Sequence, residues 1–164
     1  MRLPLVAAVF AATSAAATED AFVEANLLSI LYHELGHAII DLMDLPVFGQ
    51  EEDAADVASV LLIHAFFDEE TAQDLAYDAA FGFAAEALLL EAEDEAPAWW
   101  GVHGPDEQRF YNTVCLFYGG NPEDREDFAY DMDLPDERAE TCEEEFDLAW
   151  GSWGSVFEDM AAMN

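Results

Sequence analysis

The stretch Tyr32-His33-Glu34-Leu35-Gly36-His37-Ala38 sets two histidines four residues apart, with a glutamate directly after the first. This is the H-E-x-x-H pattern. On a helix the i, i+4 spacing stacks both imidazoles on one face, about 6 Å apart along the axis, so two ring nitrogens can converge on one metal ion. Glu34 sits beside them without ligating. Zinc held by three protein groups keeps a fourth position for water, whose pKa falls to about 7, and a neighbouring carboxylate can take its proton. The pattern therefore suits peptide-bond hydrolysis. An accidental pair is the competing explanation, and the flanks oppose it: Leu27-Leu28-Ser29-Ile30-Leu31 and Ile39-Ile40-Asp41-Leu42 are apolar enough to bury much of the helix, and two imidazoles are rarely buried together without partners.

Working outward, Thr18-Glu19-Asp20 offers a cap and two acids to the positive end of a helix that should run to about residue 43. Leu27, Leu31, Leu35, Ala38 and Leu42 form one stripe, and Ile30, His33, His37 and Asp41 form another. Both are expected to face protein. Leu45-Pro46-Val47-Phe48-Gly49 breaks the helix. A second helix, over 50–67, opens with Glu51-Glu52-Asp53-Ala54-Ala55-Asp56 and turns apolar beyond it. Glu52 and Asp56 share a face, so one carboxylate can ligate the metal while the other holds the free nitrogen of a ligating histidine. Acids are favoured at helix N-termini whatever the function, and Glu51 and Asp53 remain alternative ligands.

The pairing of His33-Glu34-Leu35-Gly36-His37 with Glu52-Asp53-Ala54-Ala55-Asp56 resembles the gluzincin metallopeptidases of the thermolysin type. More closely, residues 32–56 together with Asp106-Glu107-Gln108-Arg109-Phe110-Tyr111-Asn112 and Cys115 look like a bacterial family described as putative metallopeptidases of unknown function. The resemblance implies zinc held by His33, His37 and Glu52, Glu34 as general base, and Asp56 supporting a ligand. Gluzincins usually carry a sheet upstream of the motif helix, whose edge strand aligns the substrate by backbone pairing. Residues 18–32 are too few for one, so substrate binding is expected to be built differently or to be absent.

The N-terminus has one arginine, a short apolar run and Ala15-Ala16-Ala17, which read as a secretory signal peptide over residues 1–17 ahead of a single domain over 18–164. Export to the periplasm or medium follows, with no membrane span once the signal is removed. Two cysteines in an exported chain imply a Cys115–Cys142 disulfide. The chain has 37 acidic residues against 4 basic ones. Such a surface repels phosphate backbones and excludes nucleic-acid binding. It reads chiefly as a solubility adaptation.

A third helix is expected from Asp68 to about residue 91, then an acidic linker, and His64 just before it reads as a core or boundary histidine. Trp99-Trp100-Gly101-Val102-His103-Gly104-Pro105 is a loop ahead of a helix over 106–118. His103 is the candidate oxyanion donor, the role a histidine plays in thermolysin-like sites, with the tryptophans lining a pocket. A loop-anchoring histidine between buried tryptophans is the alternative. Arg109 is expected to tie down nearby carboxylates. Gly119-Gly120-Asn121-Pro122 ends the helix, and further helices follow over 134–150 and 153–160. No strand stands out. The expected fold is a mainly α, single-domain, zincin-like arrangement with little or no β-sheet. Its expected activity is zinc-dependent hydrolysis of a peptide or protein substrate. An exported, non-catalytic zinc-containing binding or scaffold protein on a degenerate peptidase fold is the rival.

Overall fold

The computed structural model describes the backbone of residues 4–162 and the side chains of residues 19–162. Six helices follow one another: α1 (Pro4–Met43), α2 (Glu51–Phe66), α3 (Glu69–Ala92), α4 (Asp106–Gly119), α5 (Glu126–Asp131) and α6 (Asp136–Ala162). No strand occurs among the described residues, so the mainly helical expectation holds. The expected signal peptide, residues 1–17, lies outside the residues whose side chains are described.

Gly36, between the two motif histidines, sets how α1 meets α2. A Cβ there would stand 3.0 Å from the Cα of Ala55 and 3.2 Å from the Cβ of Ala58. Only a hydrogen fits, so the two backbones approach closely along Gly36, Ala55 and Ala58, with Ser29, two turns back along α1, joined to Ser59 through the Ser59 hydroxyl. α1 also meets α3, where the Asn26 amide donates to the Asp78 carbonyl at 3.0 Å. α2 is the central rod, touching α1, α3, α4 and α6. Its middle, from Ala58 to Ile63, is buried throughout. Phe117, Val114, Phe128 and Phe146 close the core around it. Burying side chains of this size contributes roughly 1.5–3 kcal/mol each.

Cys115 on α4 and Cys142 on α6 are joined, with Cα atoms 5.1 Å apart. The expected disulfide is present. Gly119 permits the same close approach, because a Cβ there would overlap the Cys142 carbonyl.

With residues 1–17 present, α1 runs back to Pro4 through an alanine-rich stretch of high helix propensity; the expected start near Thr18 belongs to the chain after those residues are removed. Two readings need correction. The expected helices over 134–150 and 153–160 are one helix, α6. Gly151 sits inside it at a modest helical cost, offset where Trp153 buries and stacks on Phe157 at 5.6 Å. The Leu27, Leu31 and Leu42 stripe of α1, together with Ile30, is exposed rather than packed. A helix lying on one layer of neighbours buries one face, and α1 commits Ala25, Gly36, Ile39 and Ile40 to it.

Candidate metal centre

The close α1–α2 contact carries the first turn of α2 over the histidine face of α1. Glu52 Oε2 lies 3.2 Å from His33 Nε2 and 3.1 Å from His37 Nε2. The two Nε2 atoms are 3.1 Å from each other. Three donors about 2.0 Å from a tetrahedral ion lie about 3.3 Å apart. The triangle thus has the size a zinc-like ion requires. Its chemistry, two imidazoles and one carboxylate, also suits such an ion.

Behind each imidazole stands a second carboxylate. His33 Nδ1 meets Asp56 Oδ1 at 2.7 Å, and His37 Nδ1 meets Glu51 Oε1 at 2.8 Å. Such partners fix the tautomer that turns the Nε2 lone pair inward and make the ring a better ligand. Glu51 pushes His37 above the ordinary imidazole value, with Glu52 adding to it against some desolvation. Desolvation works to raise the carboxyl of Glu52, yet the hydrogen bond from His37 and the positive field of the three imidazoles leave it below its ordinary value. Glu34 follows His33 on α1 and is exposed to water.

Over residues 5–157 the chain matches the model of a family described as "Putative metallopeptidase". It belongs to that family. No curated protein and no solved structure is significantly similar to it. In this metallopeptidase-family chain, a metal is the group that the donor triangle fits.

Among the acids of α2, the alternatives sort by position. Glu52 reaches both histidines, Glu51 stands behind His37, and Asp53 instead lines a cleft of about 390 Å³ between α2, α4 and α6. That cleft meets the centre at Asp56 and Arg109. Arg109 grips Asp56 with two bonds, Nε to Oδ2 at 2.8 Å and Nη2 to Oδ1 at 2.9 Å, and its guanidinium lies 4.1 Å from the centroid of the Phe83 ring. The expectation that it ties down carboxylates is met.

His103 comes to the same place from the loop between α3 and α4, with Nε2 2.8 Å from Glu52 Oε2. Trp99 and Trp100 are not buried; they are 75 % and 86 % exposed. The turn that carries them is closed by its own bonds, Trp99 N–H to Pro97 O and Gly101 N–H to Ala98 O, which leaves the indoles pointing away from the core. His64 is half-buried, accepts from Arg125 Nη2 at 3.0 Å, and packs on Phe146 at 4.9 Å. Desolvation and the Arg125 charge hold it below the ordinary imidazole value, as befits a boundary histidine.

The backing role of Glu51 was hidden in sequence because three consecutive acids open α2. The signal available was symmetry: if His33 needs a carboxylate behind it, so does His37, one turn nearer the start of α2.

Proposed function

We propose that the chain is an exported zinc-dependent peptidase, working in the periplasm or outside the cell on peptide or protein substrates. His33, His37 and Glu52 hold the ion. A zinc ion there supplies Lewis acidity, polarising a carbonyl and bringing the pKa of water to about 7. Asp56 and Glu51 hold the Nδ1 sides of both imidazoles and so turn both Nε2 atoms toward the ion. Glu34, exposed beside His33, accepts the proton of the attacking water and passes it to the leaving nitrogen. His103, once clear of Glu52, presents an N–H toward a developing oxyanion. Arg109 holds Asp56 ionised by its two-bond grip; desolvation works to raise that carboxyl, and Arg109 and His33 together bring it below its ordinary value.

The observation that carries this reading is the triangle of Nε2, Nε2 and Oε2 atoms with edges of 3.1–3.2 Å. The test is metal analysis after purification without chelators, together with peptide hydrolysis. The chain should carry one zinc and His37→Ala none. Glu34→Gln should keep the zinc and lose on the order of 10²–10⁴-fold in turnover. A zinc-free chain, or a Glu34→Gln variant with full turnover, sinks the proposal.

One observation favours the non-catalytic rival. Among the described residues no strand lies beside α1 to pair with an extended substrate. A zinc-holding binding protein would keep its partner's affinity unchanged in Glu34→Gln and show no hydrolysis in the parent chain.

A further inference from the structure

Three imidazoles, rather than two, approach the Glu52 carboxylate. His103 Nε2 is 2.8 Å from Glu52 Oε2, and the donor atoms of His33, Glu52 and His103 all lie within 4.8 Å of one another. The His103 ring lies over that of His33, with centroids 5.9 Å apart and planes 30° from parallel. Hydrolytic zinc sites leave one position open, whereas sites filled by four protein groups are closed. His103 reaches the Glu52 oxygen from the loop side and forms with His33 and Glu52 a second three-donor group that shares two members with the first.

The three imidazoles are not held alike. His33 and His37 each have a carboxylate behind Nδ1 and ride on a helix pinned at Gly36. Among the described residues, Glu52 is the one charged partner of His103. Its loop is closed by bonds to itself, Trp99 N–H to Pro97 O and Gly101 N–H to Ala98 O. Trp99, Trp100 and Val102 project from that loop largely exposed. An imidazole without support, on a segment bonded chiefly to itself, is the first ligand to leave.

We propose that His103 is a fourth, exchangeable ligand that closes the metal site at rest and yields its position when a substrate seats, making the 93–105 loop a latch. The step is a ligand exchange: the bond from Nε2 to the metal breaks, an oxygen donor takes its place, and no electron changes owner. The exposed indoles give an arriving chain an apolar handle on the latch. The proposal rests on His33, His37 and Glu52 being the permanent ligands.

The test loads the full chain with cobalt(II) in place of zinc and compares it with His103→Ala and with a Trp99→Ala, Trp100→Ala double variant. X-ray absorption should count three imidazoles in the parent and the tryptophan variant and two in His103→Ala. Relaxation of bulk water protons should be weak in the first two and several-fold stronger in the third, where water enters the fourth position. The metal dissociation constant should rise about tenfold in His103→Ala. Two imidazoles and equal water relaxation in parent and His103→Ala would overturn the latch while leaving the three permanent ligands standing. Failure of the parent to bind cobalt, with His37→Ala no different, overturns the ligand set itself and the latch with it.

Discussion

Asp56 serves three partners with two oxygens: His33 Nδ1, Arg109 Nε and Arg109 Nη2, all within 2.9 Å. Its charge is what both neighbours use. Asp56→Asn keeps the shape and loses the charge, so zinc affinity should fall about 10–100-fold in a chelator competition. Asp56→Ala additionally removes the two-bond partner of Arg109, which keeps only Asp106 at 3.9 Å, at a cost of roughly 1–3 kcal/mol in urea unfolding. An Asn variant with parental affinity would show that Asp56 does not tune the ligand. Gly36 acts by being small. In Gly36→Ala the new methyl meets the Ala55 backbone at 3.0 Å, and the helices must part by a few tenths of an ångström. The expected loss is about 1–3 kcal/mol of stability, with weaker metal binding because Glu52 moves relative to the histidines. Stability loss with unchanged metal affinity would uncouple the helix contact from the centre.

At the level of elements, α4 and α6 are cross-linked by Cys115 and Cys142 across 27 residues of chain. Reducing the bond, or Cys142→Ser, should cost roughly 3–4 kcal/mol on the chain-entropy model and lower the melting temperature by roughly 10 °C. A shift of a degree or two would mean that the Gly119 contact already holds the pair. The helices themselves were legible in sequence wherever punctuation is chemical: Pro46 and Gly49 after α1, the acids opening α2 and α3, Gly119 to Pro122 after α4. The two motif histidines were legible for the same reason, since their spacing is a property of one helix. Which face of α1 packs was not. Leu27, Leu31 and Leu42 are as apolar as Ile39 and Ile40, and hydrophobicity records what a residue tolerates, not which neighbour arrives. Nor was the end of α6, because Gly151 reads as a break unless Trp153 is seen to bury. The place of His103 depended on a loop path that no periodicity encodes.

Across the whole molecule the charge of −33 makes folding a contest with self-repulsion. Raising sodium chloride from tens of millimolar toward molar should raise the melting temperature, and a flat or falling response would contradict this. Acid acts the other way at one point. Arg125 is 1 % exposed, donates to the Phe117 carbonyl and pairs with Glu69 at 2.7 Å. Hydrogen bonds from Arg125, then Gln73 and Asn121, outweigh desolvation and hold Glu69 at about 2 against an ordinary 4.5. A depressed carboxyl stabilises the fold fully above its unfolded value, and that contribution is lost as pH falls from 4.5 toward 2. Glu69→Gln should therefore be less stable at neutral pH and show a shallower acid limb over that interval, read from urea titrations at stepped pH.

Among the described residues the arginines are all engaged. Arg109, Arg125 and Arg138 are bound to Asp56, Glu69 and Glu145, and the chain contains no lysine. Trypsin, which needs a free basic side chain in its specificity pocket, should therefore leave the chain from Arg109 to Arg138 uncut until it unfolds. Amine-directed reagents should find a single target, the α-amino group, so that one dye or one tether can be placed on the protein without engineering it.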